Sequence, residues 1–347
     1  MTSLGRLMVG ALFLLGVSLF LLVSCTVKAD SLPVSDTDLA EDVDIQILST
    51  NLANGATLGE WGLSALVKVD GHCILFDAGR HPQTVVKNAV ALGVDLTCVE
   101  TMVLSHFHFD HTGGLHALLG AIRKDDPNRV ITTYVAKGFF ASRQIDTSNP
   151  TGAAMQRAFG TTHWNFMRAQ RTELEALGMA FVEIDEATQI RKGVWATGPI
   201  ERQHPEELYP TWSRLETSSG GTEVDFVPDS QGLVVKTANG PIIMLGCGHS
   251  GAVNLVSQVL EDIQPMPPLA LMGGLHLFNA SDDVLDWTAT ELREFGVQHL
   301  MAGHCTGIYP MQFLQNRMGL DRRTAVIGAV GARFELGHGI HPTPIAR

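Results

Sequence analysis

The segment VLSHFHFDHTGGL, Val103 to Leu115, holds three histidines and one aspartate within six positions, His106 to His111. It continues the apolar run that begins at Cys98 and leads into Gly113-Gly114. Imidazole nitrogen and carboxylate oxygen are the ligands that zinc and similar divalent ions take. Residues two apart in an extended turn point the same way, so His106 and His108 can share one ion. Asp110 and His111 follow a change of direction and can serve a second. The glycine pair lets the chain leave the turn tightly and start a helix. A lone histidine on an apolar strand is ordinarily a core residue. Four ligating groups in one strand-end turn are not explained that way.

Outward from the turn, the patterning is that of a large globular domain. The chain has 347 residues, of which 45% are hydrophobic and 17% charged, enough for a sizeable core. With 24 basic and 36 acidic side chains the formal net charge is −12, and there is no basic stretch to release counterions from a nucleic acid. The runs DIQILST, LSALVKV and HCILFDAG predict strands, with a turn at Asp70-Gly71. PQTVVKNAVALG predicts a helix stopped at Gly93, CVETMVLS a strand, and GGLHALLGAI the helix after the histidine turn. Beyond Gly232, GLVVKT and PIIMLG read as a hairpin, and AVNLVSQVLEDI as a helix. LALMGG follows as a strand. Ser281-Asp282-Asp283 caps the helix VLDWTATELREFG, and QHLMAGHC precedes a last helix in PMQFLQNRMG. Between about 120 and 230 the pattern is weaker. It offers a strand in VITTYVA, a helix within 153–178, strands around AFVEID and GVWATGPI, and an exposed loop at TSSGGTE. This segment reads as an insertion that shapes a substrate pocket. Strands first, then strands alternating with helices, predict layered α/β with helices on both outer faces of packed sheets.

The pattern His106-x-His108-x-Asp110-His111 resembles the signature of the metallo-β-lactamase fold superfamily. GLSALVKVDGHCILFDAG, residues 62–79, resembles its opening hairpin, and Asp77 matches a buried aspartate that supports the metal loop. GCGHSGAVNLV, GGLHL and GHCTG resemble, in that order, one branch: the dihydropterin ribofuranosylaminobenzene phosphate synthase-like metallohydrolases. The resemblance covers most of 43–330, weakly in the middle. It implies an αββα sandwich with the metal site at the sheet edge. It also implies two further ligands from strand ends, which fall on His249 and His304. The metal set is then His106, His108, Asp110, His111, His249 and His304, holding two zinc ions, with manganese or iron as alternatives. Asp110 is also expected to orient the nucleophile. The chain departs from the family pattern where an aspartate ordinarily bridges both ions. Cys247, in Gly246-Cys247, or His276, in GGLH, is left for that slot, and His276 is alternatively a catalytic group facing the substrate. Cys305 is expected to pack inward.

The N-terminal run to Val23, with Arg6 before it and Leu22-Val23-Ser24-Cys25 at its end, has the layout of a secretory signal and resembles a bacterial lipobox. An uncleaved transmembrane anchor is the alternative. The expected organisation is a signal or anchor at 1–25, a polar tether at 26–42, the catalytic domain at 43–336 and a tail at 337–347. The protein is then exported and held on a membrane, with a small-molecule substrate and no nucleic-acid partner. A domain of this size needs no disulfide framework, and a Cys73–Cys98 pair, though open to the chain, is not expected.

The expected function is hydrolysis of a small ester, phosphoester, lactone or amide by metal-activated hydroxide. A pterin-related synthase and a membrane-anchored binder without turnover are the alternatives. The helix after Gly251 is expected to aim its N-terminus at an anionic substrate group. Arg202 and Arg214 are the candidate cations in the variable segment.

Overall fold

The computed structural model describes residues 38–346. The expected signal or anchor and most of the tether lie outside the described residues. Among the described residues, no helix is long and apolar enough to cross a membrane.

Two sheets face each other. The first has eight strands. From one edge to the other they are Gly339–His341, Arg333–Glu335, Val43–Ser49, Ser64–Val69, His72–Phe76, Val99–Val103, Ile131–Ala136 and Met179–Ile184. The second has seven: Ala325–Ile327, His299–Ala302, Ala270–Gly273, Ile242–Leu245, Gly232–Val235, Val194–Ala196 and Thr188–Arg191. Their inner faces follow from the period-2 geometry of a strand. Ile45, Val67, Ile74 and Phe76 of the first sheet pack with Leu233, Val235, Met244, Met272 and Met301 of the second. The intervening residues face outward. Leu66 and Leu75 lie in the apolar layer with Val85, Leu118 and Leu174. Val234, Ile243, Leu271 and Leu300 lie under Leu255, Leu285 and Leu314. The first outer layer is the helices Thr84–Leu92, Leu115–Ile122 and Phe166–Ala176, and the second Ala252–Asp262, Asp282–Glu294 and Ile308–Met318. Strands buried on both faces read as continuous apolar runs, which is why PIIMLG and LALMGG carry no polar alternation. The result is the αββα sandwich that the sequence predicts.

The domain is longer at both ends than the sequence suggests. At the start, Ala40 bridges to Thr237, and Asp38 pairs with Lys236 Nζ at 3.1 Å, so the last residues assigned to the tether are docked. At the end, Gly339–His341 pairs antiparallel with Arg333–Glu335, so part of the expected tail is an edge strand. The middle segment holds two helices, Pro150–Phe159 and Phe166–Ala176, where one is expected. Its loop TSSGGTE is the turn of a small three-stranded sheet, Arg143–Ile145, Ser213–Glu216 and Thr222–Val224. Cys73 and Cys98 form a disulfide, against expectation. The reason is strand adjacency: His72–Phe76 lies parallel to Val99–Val103 with Cys73 opposite Val99, which brings the two Cα atoms to 5.6 Å.

Phe76 is fully buried between the sheets, whereas Val90 is 77% exposed on its helix. Phe76→Ala is expected to cost about 3–5 kcal/mol by urea denaturation, because a large cavity opens where both sheets contribute walls. Val90→Ala should change stability by no more than about 0.5 kcal/mol. Equal effects would contradict the layering.

Candidate metal centre

The site is assembled by register. In the second sheet Leu245, Gly273 and Ala302 are neighbours across parallel strands. The residues just beyond those strand ends, Cys247, His276 and His304, therefore emerge side by side. In the first sheet Phe76 pairs with Val103, so Asp77 emerges beside Ser105 and the histidine turn. Gly246 is where the two edges meet. A Cβ there would lie 1.8 Å from Ser105 Oγ, so any side chain would force the sheets' loops apart. Asp77, His276 and His304 all have φ between 51° and 58°. Non-glycine residues in that region carry strain, and such residues gather at functional sites.

Asp77 organises the turn. Fully buried, it accepts the Ser105 N–H on Oδ1 (2.7 Å). On Oδ2 it accepts the Ser105 hydroxyl (2.7 Å) and His111 Nδ1–H (2.6 Å). Ser105 Oγ, its proton committed to Asp77, accepts from His106 Nδ1 at 2.9 Å. His249 Nδ1 likewise donates to the Leu208 carbonyl at 2.7 Å. These bonds place a ring proton of His106, His111 and His249 on Nδ1, the arrangement that orients imidazole ligands; Nε2 of His106 and His249 is then a lone pair, and that of His111 would become one as a bound cation displaces its second proton.

The lone pairs converge in two groups. His106 and His249 come together with Cys247. His108 joins them, its Nδ1 lying 3.1 Å from His249 Nε2. Asp110, His111 and His304 form the other group, again with Cys247. Cys247 Sγ lies 3.0 Å from His111 Nε2 and 3.2 Å from His304 Nε2, and His304 Nε2 is 3.4 Å from Asp110 Oδ2. Cys247 is thus common to both groups, in the slot that the sequence left between it and His276. His276 stands to one side, with Cys247 and Cys305. Cys305 is buried, and its thiol donates to the Cys247 carbonyl.

The electrostatics suit a cation. Burial first, then mutual repulsion among the imidazoles, holds His106 well below the ordinary histidine range; burial alone is the largest cause for His249. Burial lowers His108 to about 3, so these rings are neutral and able to ligate. Burial opposes charge on His111 too, but the Asp77 and Asp110 carboxylates beside it prevail and raise it to about 9. Burial would likewise raise Asp110, yet His111 and His304 hold it far below the carboxylate range. Two buried nitrogens, His106 Nε2 and His108 Nε2, have no hydrogen-bond partner, and neither has Nδ1 of His276 or His304. Orphaned buried donors and acceptors are costly unless something else satisfies them. The donor set of imidazoles, one carboxylate and one cysteine sulfur fits zinc; burial pushes the Cys247 thiol well above its ordinary value, so it would ligate as a bound cation displaces its proton.

A cavity of about 790 Å³ opens over this floor. Its walls are aromatic: Trp61, Phe109, Phe159, Trp164, Trp212 and Phe278. Trp164 and Trp212 are stacked with centroids 4.2 Å apart. Arg80 also lines it, its guanidinium 4.7 Å from the Phe109 ring centroid. Sequence reasoning missed Arg80, although it directly follows the supporting loop at Asp77-Ala78-Gly79. The two arginines it did single out are otherwise engaged. Arg202 donates to the carbonyls of Glu206, Phe226 and His249, and Arg214 pairs with Asp146. The expected anion site at the helix after Gly251 is also taken. Glu206 occupies it, accepting from the N–H groups of Val253 (3.2 Å) and Asn254 (2.8 Å). A carboxylate 46 residues upstream satisfies the helix end, and sequence distance conceals it.

Burial pushes Glu206 up to about 7, although the helix N–H groups pull the other way. A carboxyl whose folded pKa is raised contributes stability that is fully present below its unfolded value and is lost as pH rises through the folded one. The thermal midpoint of the native protein should therefore fall, relative to that of Glu206→Gln, as pH is raised from about 4.5 to 7. Parallel midpoint curves over that window would show that burial does not govern this group.

Residues 62–140 match the family model of the metallo-beta-lactamase superfamily. The chain is 29% identical over 276 residues, 77% of its own length and 88% of the relative's, to the 7,8-dihydropterin-6-methyl-4-(beta-D-ribofuranosyl)-aminobenzene-5'-phosphate synthase of Methanocaldococcus jannaschii. It is 28% identical over 267 residues, 76% of its length and 90% of the relative's, to protein MJ0448 of the same organism. Among solved structures it is similar to Tm1679, described as a metal-dependent hydrolase of the β-lactamase superfamily. That match has a TM-score of 0.65 and 22% identity, covering 84% of this chain and 98% of the other.

Proposed function

We propose that the chain belongs to the metallo-β-lactamase superfamily, whose family model its residues 62–140 match, and that it is a metal-dependent hydrolase of small molecules with an apolar or aromatic body, using two divalent ions, most naturally zinc. The observation that carries this reading is the sharing of Cys247 between two ligand groups at the floor of an aromatic-walled cavity. His106, His108 and His249 would hold one ion, and Asp110, His111 and His304 the other, with Cys247 between them. Bound ions supply Lewis-acid activation of water and of an electrophilic oxygen on the substrate.

The remaining roles fall to the chain itself. Asp110, held ionised by its histidine neighbours, accepts a hydrogen bond from the attacking water and orients it. His276 lines the cavity with Nδ1 buried and unpaired, and exchanges a proton with the substrate's leaving or carbonyl group. Arg80 presents positive charge to an anionic group on the substrate. The aromatic walls exclude water and bind planar or apolar surface, which strengthens these charges.

A second reading, bond formation on a pterin-related substrate, is favoured by two observations. One is the 29% identity to the M. jannaschii synthase. The other is the stacked Trp164 and Trp212, which suit a flat ring. We further propose export to the cell envelope on a lipid or membrane anchor, on the strength of the N-terminal sequence alone.

Metal analysis of the full-length chain, with turnover on a panel of phosphodiesters, lactones and β-lactams, tests the first reading. Two equivalents of metal are expected, with His108→Ala losing at least one and reducing turnover by about 10²-fold or more. Metal without hydrolysis of any panel member, together with a new product from phosphorylated pterin precursors, would replace hydrolysis with synthesis. Unchanged metal content and turnover in His108→Ala would refute both.

Arg80→Ala should raise KM for anionic panel members about tenfold or more and leave neutral ones within about twofold. Equal effects on both would remove Arg80 from substrate recognition.

A further inference from the structure

Behind the histidine turn lies a set of charges that the proposed chemistry does not use. Arg143, Asp225 and Asp229 are all fully buried. Arg143 donates from Nε to Asp225 Oδ2 (3.0 Å), from Nη2 to Asp229 Oδ1 (2.5 Å) and from Nη1 to the Ala141 carbonyl (3.2 Å). The flat face of its guanidinium lies on the Phe107 ring, 3.8 Å from the centroid. The other oxygen of Asp229 accepts the N–H of Phe107 at 2.8 Å. Phe107 is the residue between His106 and His108. Asp229 therefore grips the peptide, and Arg143 the ring, of the residue that separates two proposed ligands, with Asp225 holding Arg143 from behind.

Stability alone is a weak reason for such a cluster. Replacing buried ion pairs with well-packed apolar groups is often neutral or stabilising. Its placement suggests another reason. The strand Val99–Val103 has ended before the turn, so the sheet ladder does not hold residues 105–108. The segment 225–231 supplies what the ladder does not. Besides the Asp229 contact, the Gln231 N–H donates to the Ser105 carbonyl (2.9 Å) and Gln231 Nε2 to the Leu104 carbonyl (2.8 Å). That segment is itself held under strain. Val227, fully buried, has φ 53°, an outlying conformation for a β-branched residue. Asp225 fixes it by accepting the Val227 N–H at 3.0 Å and the Ser213 hydroxyl at 2.7 Å. Strain of this kind persists only where the surroundings over-determine the backbone.

We propose that Arg143 and Asp229 are positioning residues for the metal centre, which fix the angle between His106 and His108 by clamping Phe107. The inserted segment and the metal turn are thereby one mechanical unit. This rests on the metal-binding reading of the turn.

The test measures zinc affinity of the full-length chain by competition with a chromogenic chelator, alongside the circular-dichroism melting curve of the apoprotein. Asp229→Ala, which frees the Phe107 N–H and leaves Arg143 underpaired, should weaken zinc binding about 10–100-fold, as loss of groups that orient ligands does. Asp229→Asn, which keeps an acceptor for that N–H, should recover part of the loss. Should Asp229→Ala fail to fold, Asp229→Asn decides, read through the visible spectrum of the cobalt-substituted protein, whose bands should shift from those of the native chain. A merely structural role would lower the melting temperature and leave affinity and cobalt spectrum unchanged in the folded variants; that result overturns the proposal. Failure of the unmodified chain to bind zinc would overturn the metal reading and this inference together, and is seen before any variant is made.

Discussion

One buried carboxylate fixes the geometry on which the centre depends. Asp77 accepts three hydrogen bonds, from the Ser105 amide, the Ser105 hydroxyl and His111 Nδ1. Through Ser105 it also sets the ring of His106. A carboxylate in a dry interior is tolerated only when its oxygens are so satisfied. The satisfaction here has a consequence at a distance: it fixes Nδ1 as the donor nitrogen of His106 and His111 and turns Nε2 of each toward the site. Remove that choice and the histidine turn is a cluster of imidazoles with no common aim. The left-handed backbone of Asp77, φ 58°, is the local cost of bringing its carboxylate under the turn.

The second sheet completes what Asp77 begins. Three parallel strands in register deliver Cys247, His276 and His304 to one edge. Gly246 lets that edge approach Ser105 closely. A cysteine sulfur in the shared position is a softer donor than a carboxylate and lies within reach of both groups. Above the floor, the segment between about 137 and 231 contributes Phe159, Trp164 and Trp212 to the aromatic wall. Its buried Arg143 and Asp229 run back to Phe107, so the part that shapes the cavity also touches the histidine turn.

The layered fold was legible in the sequence for physical reasons: period-2 burial shows in Val43–Ser49, and doubly buried strands show as apolar runs. His249 and His304 were reached through the family resemblance, and the structure brings both beside the turn at 106–111. What was not legible depends on partners remote in sequence. Glu206 capping the helix at Ala252, the Cys73–Cys98 bond between adjacent strands, and Arg143 reaching Asp225 and Asp229 carry no local signal. Arg202, which seemed available for an anion, is spent on three carbonyls. The middle segment was obscure because its small sheet pairs Arg143–Ile145 with Ser213–Glu216 across some seventy residues, and short strands half-exposed to solvent lack a clear period.

The account depends most on Cys247 standing between two sets of ligands. X-ray absorption of the zinc-loaded full-length chain measures this directly, because sulfur and light-atom ligands scatter at different distances. The prediction is a mixed shell of nitrogen and oxygen with a sulfur contribution near about 2.3 Å, which disappears in Cys247→Ser. A shell of nitrogen and oxygen alone in the unmodified protein would contradict it.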